Sequence, residues 1–210
     1  MDYNKDTITN LKTGDLILFN SRPKGLMSIL SNMIRFATHS NYTHIGLILK
    51  DPTFIEPHLK GLYVWESGWE GITDPQDNEI KLGVQITPFE EIINNSKGAE
   101  ISIRQVNCPL TLFNDEKLKE IHNVVYKKPY DILPQDWLPA LFRKDLYPQK
   151  TDRFWCSALV GYIYTKLGLL VDETDWSILR PCDFSIMNEY IKFNEGCSLS
   201  KEEIKLKLNV

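Results

Sequence analysis

The stretch "CSALVGYIYTKLG", residues 156–168, decides how this chain is read. After Cys156, the residues Leu159, Val160, Ile163 and Leu167 recur at the spacing of one helical face, and Gly168 supplies a stop. The pattern predicts an amphipathic helix whose first residue, on the buried face, is a cysteine. Unpaired backbone N–H groups and the helix dipole favour an anion at such a position. They therefore favour a thiolate, and they can also stabilise an oxyanion formed when that thiolate attacks a carbonyl. A free cysteine elsewhere is usually a small buried hydrophobe. That is the reading for Cys108, Cys182 and Cys197, and both readings stand for Cys156.

A thiol nucleophile needs a base, which directs attention upstream to "NYTHIGLIL", residues 41–49. The stretch reads as a strand over 43–49. Period 2 puts Tyr42, His44, Gly46 and Ile48 on one face and Thr43, Ile45, Leu47 and Leu49 on the other. Gly46 removes bulk beside His44, so a helix laid across that face would bring a thiol to the imidazole. The alternative is a core histidine with its hydrogen bonds satisfied. In "GLYVWES", residues 61–67, Glu66 shares a face with Leu62 and Val64. Its carboxylate is either a strand-end group in solvent or the acceptor that fixes the imidazole tautomer. Orienter, base and nucleophile together form a chemically complete set.

Around these segments strands cluster in the first half of the chain and the strongest helix lies late. A Gly-Asp turn leads into a strand at 15–20, and Leu26, Ile29, Leu30, Met33 and Ala37 share one face of a helix. Met27 and Ile34 widen that apolar stripe. "TDPQDNE" reads as a loop and "IKLGVQI" as a strand, and Pro88 opens a short helix "PFEEIIN". "AEISIRQV" alternates as a strand, and "NDEKLKEIHNVVY" is a capped helix. A proline-rich stretch follows at 128–153, and a last helix is expected after Pro181. The order fits a single α+β domain over residues 1–210.

The composition is that of an ordinary globular protein, with 42% hydrophobic and 25% charged residues. A net charge of −4 with no basic stripe argues against nucleic-acid binding. The tail "KEEIKLKL" mixes charge signs and reads as a solvated edge strand or helix. The start, "MDYNKDTITN", lacks an apolar core like that of a secretory signal. "GLMSILSNMIRFA", residues 25–37, is too short to span a bilayer. The expectation is a cytoplasmic protein with free thiols and idle sequons at Asn41 and Asn94. No close Cys/His cluster is present, so neither a metal nor a cofactor is expected.

Several segments, in their order, resemble the circularly permuted NlpC/P60 superfamily, in its YiiX/YaeF-like branch with the poxvirus G6-type proteins. They are "LKTGDLILF", "ATHSNYTHIGLIL", "VWESGWEG", "GVQITPFEEII", "FWCSALVGYIY" and "RPCDF", spread over residues 11–192. The resemblance implies a permuted papain-like fold, with an antiparallel sheet or barrel packed on the cysteine helix and the histidine preceding the cysteine. By the same resemblance His44 matches the base, Glu66 the orienting residue and Cys156 the nucleophile. The Gly14-Asp15 turn matches the entry to the first strand.

The implied activity is a thiol hydrolase cutting an amide bond through an acyl-enzyme, with no metal. Tyr42, Trp155 and Ser157 are the oxyanion or substrate candidates beside the Cys156 N–H. One alternative is acyl transfer on lipids, with the stripe from Leu26 to Ala37 touching acyl chains or a membrane surface. Another is a non-catalytic binding or assembly module. The expected substrates are a peptide, another amide or an acyl lipid. If the chain is viral, the compartment would be the host cytoplasm. Loops 70–79 and 128–153 are expected to set specificity.

Overall fold

The computed structural model describes residues 8–20, 41–96, 98–131, 150–186 and 190–206. The expected helix at 25–37 and most of the 128–153 stretch lie outside these residues. Five strands and the final one form a six-stranded antiparallel sheet: β1 (Leu16–Asn20), β2 (His44–Lys50), β3 (Leu62–Gly68), β6 (Gly83–Pro88), β7 (Glu100–Arg104) and β10 (Ile204–Leu206). Their order across the sheet is β10-β7-β1-β2-β3-β6. Two small ribbons flank it, β4 (Thr73–Asp74) with β5 (Glu79–Ile80), and β8 (Val106–Asn107) with β9 (Ser198–Leu199). Among the described residues lie the helices α1 (Phe89–Asn95), α2 (Asp115–Val125) and α3 (Cys156–Leu167). The α+β class and the antiparallel sheet hold.

Alternation along the strands builds two cores. Leu16, Leu18, Ile45, Leu47 and Trp65 face α2 and α3, with Leu118, Ile121, Leu159, Val160 and Ile163 packed onto them. Ile17, Phe19, Ile48, Val64 and Ile103 face the other way, onto Phe89, Ile92 and Ile93 around α1. Each such side chain contributes roughly 1.5–3 kcal/mol by leaving water. Because both sheet faces are covered, strands such as "LILF" are apolar on both sides.

Helix α3 departs from the expected amphipathic pattern. Every residue except Lys166 is buried, because the helix lies between β2 and β3 on one side and the Trp176–Ile178 turn on the other. A Cβ at Gly161 would come within 2.6 Å of Leu179 Cδ1, so the turn packs directly on helix backbone. Gly168, at φ 82°, closes α3 as its spacing predicted. Asn114 caps α2 by accepting from the Lys117 N–H at 3.0 Å.

Pro88 ends β6 and caps α1 instead of occupying its first turn. "TDPQDNE" is the β4–β5 ribbon and its turn, with Asp74 buried. The tail does form an edge strand, although Leu206 is buried against the second core. After Pro181 the chain makes one 3-10 turn, Pro181–Phe184.

Candidate functional site

His44 begins β2, and continuing the β2–β3 register places Gly68 opposite it. A Cβ on Gly68 would stand 3.2 Å from His44 Cε1 and 3.4 Å from Glu70 Oε1, so the missing side chain is the space the imidazole uses. The sequence reading gave this role to Gly46. That position is filled instead by Val64, whose Cγ1 would lie 2.3 Å from an added Cβ. The cysteine helix packs on the opposite face, against Ile45 and Leu47. Cys156 therefore meets His44 where the strand begins and the helix begins, and not across the middle of the sheet.

His44 Nε2 lies 2.7 Å from Glu66 Oε2. The other oxygen of Glu66, Oε1, accepts from Thr87 Oγ1 at 2.6 Å, which fixes the fully buried carboxylate in place. With Nε2 engaged, Nδ1 is the nitrogen open to Cys156. Burial alone would push the imidazole pKa down. Hydrogen bonding and charge from Cys156, then from Glu66, outweigh it and hold the ring well above its ordinary value. The structure thus brings His44, Glu66 and Cys156 together, with Cys156 itself buried at the start of α3.

The remaining sequence candidates are placed differently. Tyr42 donates to Glu203 Oε2 at 2.5 Å and hydrogen-bonds Ser102 Oγ at 3.2 Å. Burial and the Glu203 carboxylate push its phenol up to about 12. Trp155 Nε1 and Ser157 Oγ both donate to the Leu179 carbonyl, at 3.3 and 2.7 Å. Those two bonds anchor the start of α3 on the 176–184 segment.

Three residues at the site were missed. Glu70 Oε1 lies 3.9 Å from His44 Nε2, and burial together with the Glu66 charge raises its pKa to about 7. Tyr130 is buried, with its phenol held well above 10 by burial and by the charges of Cys156 and Asp131. Gln85, paired across the strands with Glu66 and so on the same face, is buried with neither amide atom hydrogen-bonded among the described residues. One signal was available beforehand: Gln85 is a polar residue within an apolar strand.

One donor atom each from His44, Glu66 and Glu70 lies within 4.8 Å of the other two. This is a cluster that the spacing of histidines and cysteines alone did not reveal.

The fold and the site together define an α+β protein with a thiol, an imidazole and a carboxylate converging at one end of its sheet. No family model matches the chain. In sequence it is similar to the protein YiiX of Escherichia coli (strain K12), itself described as uncharacterized. The two are 26% identical over 195 residues, which covers 91% of this chain and 77% of that protein. In structure it is similar to the metalloprotein yiiX from Escherichia coli O157:H7. The TM-score is 0.50 at 20% identity, covering 90% of this chain and 96% of that one. The structural likeness bears on the fold alone. No helix of the described residues is long and apolar enough to cross a membrane.

Proposed function

We propose that the protein is a thiol hydrolase of the permuted papain-like (NlpC/P60) type, cutting an amide bond. The observation that carries the reading is the imidazole of His44 held between the Glu66 carboxylate and the Cys156 sulfur. The raised imidazole pKa favours His44 as imidazolium beside a thiolate. Cys156 Sγ attacks the substrate carbonyl, and the N–H groups of the first turn of α3 face the developing oxyanion. His44 donates its proton to the leaving amine, then takes one from the water that resolves the acyl-enzyme. Glu66 keeps the ring oriented and stabilises its charge throughout. Tyr42, with its hydroxyl held by Glu203, supports the strand start and is not the oxyanion donor in this scheme.

The deciding measurement pairs alkylation with turnover. At pH 6.5 iodoacetamide should modify Cys156 well ahead of Cys108 and Cys197, whose thiols burial pushes up. Cys156→Ala should abolish hydrolysis of amide and thioester probes with an unchanged circular dichroism spectrum. Normal turnover in that variant would sink the mechanism.

A second reading is favoured by the donor cluster, and the yiiX chain of like fold is itself described as a metalloprotein. Imidazole and carboxylate donors suit a divalent ion such as Zn²⁺. The amide oxygen of Gln85, without a hydrogen-bond partner among the described residues, stands on the same sheet face. His44, Glu66 and Glu70 would hold the ion, which would supply Lewis acidity beside Cys156. Nε2 and Oε2, now 2.7 Å apart, would have to open to about 3.3 Å for tetrahedral ligation. Metal and triad therefore compete for one nitrogen. Under this reading Glu70→Gln weakens Zn²⁺ binding in equilibrium dialysis while leaving the alkylation of Cys156 intact. Equal Zn²⁺ uptake by wild type, Glu70→Gln and His44→Gln would discard it.

A further inference from the structure

The β8–β9 ribbon pairs Val106 with Leu199 and Asn107 with Ser198. The Ser200 N–H donates to the Gln105 carbonyl at 2.7 Å, which extends the same register at one end. One step beyond the other end, that register brings Cys108 opposite Cys197. The two thiols interact side chain to side chain, and the charge of Cys197 raises the pKa of Cys108. Both are only half-buried against the first core, so small reagents reach them. Alternate pairs of an antiparallel ladder put Cα atoms about 4.5 or 5.5 Å apart. Both separations lie within the range that a disulfide bridges without moving backbone.

We propose that Cys108 and Cys197 are an oxidation site that closes to an intramolecular disulfide with a small-molecule disulfide as oxidant. One thiolate attacks a sulfur of that oxidant, forming a mixed disulfide and releasing one small thiol. The second thiolate attacks the protein-side sulfur of the mixed disulfide, forming the Cys108–Cys197 bond and releasing the other small thiol. The protein pair loses two electrons and two protons, and both are recovered in the two small thiols.

The position of the bond gives it a consequence. Residues 190–206 run back over the body of the molecule. Asn194 Nδ2 donates to the Gly168 and Leu170 carbonyls, Glu203 holds Tyr42, and β10 adds the sheet's last strand. Cys197 sits midway along this strap, and Cys108 sits on the body beneath it. Closing the bond also ties off the chain that carries α2 and α3. The inference stands apart from the proposed hydrolase, since neither thiol belongs to that site.

The test treats full-length protein with glutathione disulfide, in the wild type and in a Cys156→Ala background where that thiol cannot compete. The wild type should yield one peptide pair joining Cys108 to Cys197, with any adduct confined to Cys156. The product expected in the Cys156→Ala background yields the same peptide pair, is lighter by two hydrogens and reverts with dithiothreitol. Its thermal midpoint should rise by roughly 5–15 °C. Cys108→Ser and Cys197→Ser should each stop at a single glutathione adduct with no such rise. Wild-type protein that carries only glutathione adducts, or a bond involving Cys182, would overturn the proposal.

Discussion

Two histidines lie on opposite faces of β3, and their pKa values are moved in opposite directions. His44 shares the Glu66 face, with a carboxylate on Nε2 and a thiol on its other side, and its pKa is held well above 6.5. His122 lies on the Trp65 face, stacked on Tyr126 at 5.0 Å and near Phe54 and Trp65. Its Nε2 meets the neutral amide oxygen of Gln76 at 2.5 Å. Burial pulls its pKa down to about 4, and the more distant Asp74 does not restore it. Both rings are largely enclosed. The difference lies in what touches the nitrogen: charge in contact offsets desolvation, whereas an amide does not.

The sharpest way to break this comparison is Glu66→Gln, which turns the His44 partner into an amide like that of His122. Turnover should fall on the order of 10²-fold or more. The pH profile of Cys156 alkylation should shift as the imidazolium loses its carboxylate. An unchanged profile would mean that Glu66 does not set the charge of His44.

Stability should separate the two rings by sign. His122 has a folded pKa below its unfolded value, so its contribution is present above about pH 6.5 and is lost as pH falls toward 4. The amount is on the order of 3 kcal/mol. His44 has a raised folded pKa, so its contribution is present below 6.5 and is lost as pH rises through the folded value. Urea unfolding of His122→Phe should lack the acid-side loss seen in the wild type. His44→Gln should keep it.

A smaller effect is expected from Gly68→Ala, whose methyl would crowd His44 Cε1 at 3.2 Å. Displacing the ring should cost roughly ten-fold in kcat/KM, with a stability change near 1 kcal/mol. Gly46→Ala would instead displace Val64 in the core. It should lose stability first and activity only as a consequence.

The smallest effect belongs to Glu70. Its pKa of about 7 predicts an inflection near neutral pH in kcat/KM, of about two- to five-fold, that Glu70→Gln removes. The raised carboxyl also disfavours the folded state as pH climbs from 4.5 through 7, so the same variant should flatten stability over that window.

The grouping of His44, Glu66 and Cys156 as one site rested on the resemblance, whereas their positions on their elements were legible from strand alternation and helix phase. The helix boundary at Gly168 and the cap at Asn114 were legible for the same local reason. The face on which α3 packs was not. Gly46 and Gly68 are both glycines near His44, and only the β2–β3 register shows which of them the imidazole crosses. Glu70 escaped because it follows the end of β3, where no period applies. Asp74 was read as part of a loop, yet it is buried because Lys81 lies 2.7 Å away and the Ile86 N–H donates to it. Charge pairing across a turn leaves no hydrophobic pattern to read.

The segment before α3 carries one further consequence. The Phe154 N–H donates to the Pro129 carbonyl, the Asp131 N–H donates to the Phe154 carbonyl, and Ser67 Oγ donates to that same carbonyl. A Cβ at Gly83 would strike the Lys128 carbonyl at 2.3 Å, so β6 accepts this crossing only without a side chain. Residues 129–131 and 154 are thus closed into a stem beside the nucleophile. The stem therefore acts as a clasp: its bonds at Phe154 hold the chain two residues before Cys156, so the start of the helix is fixed from both sides.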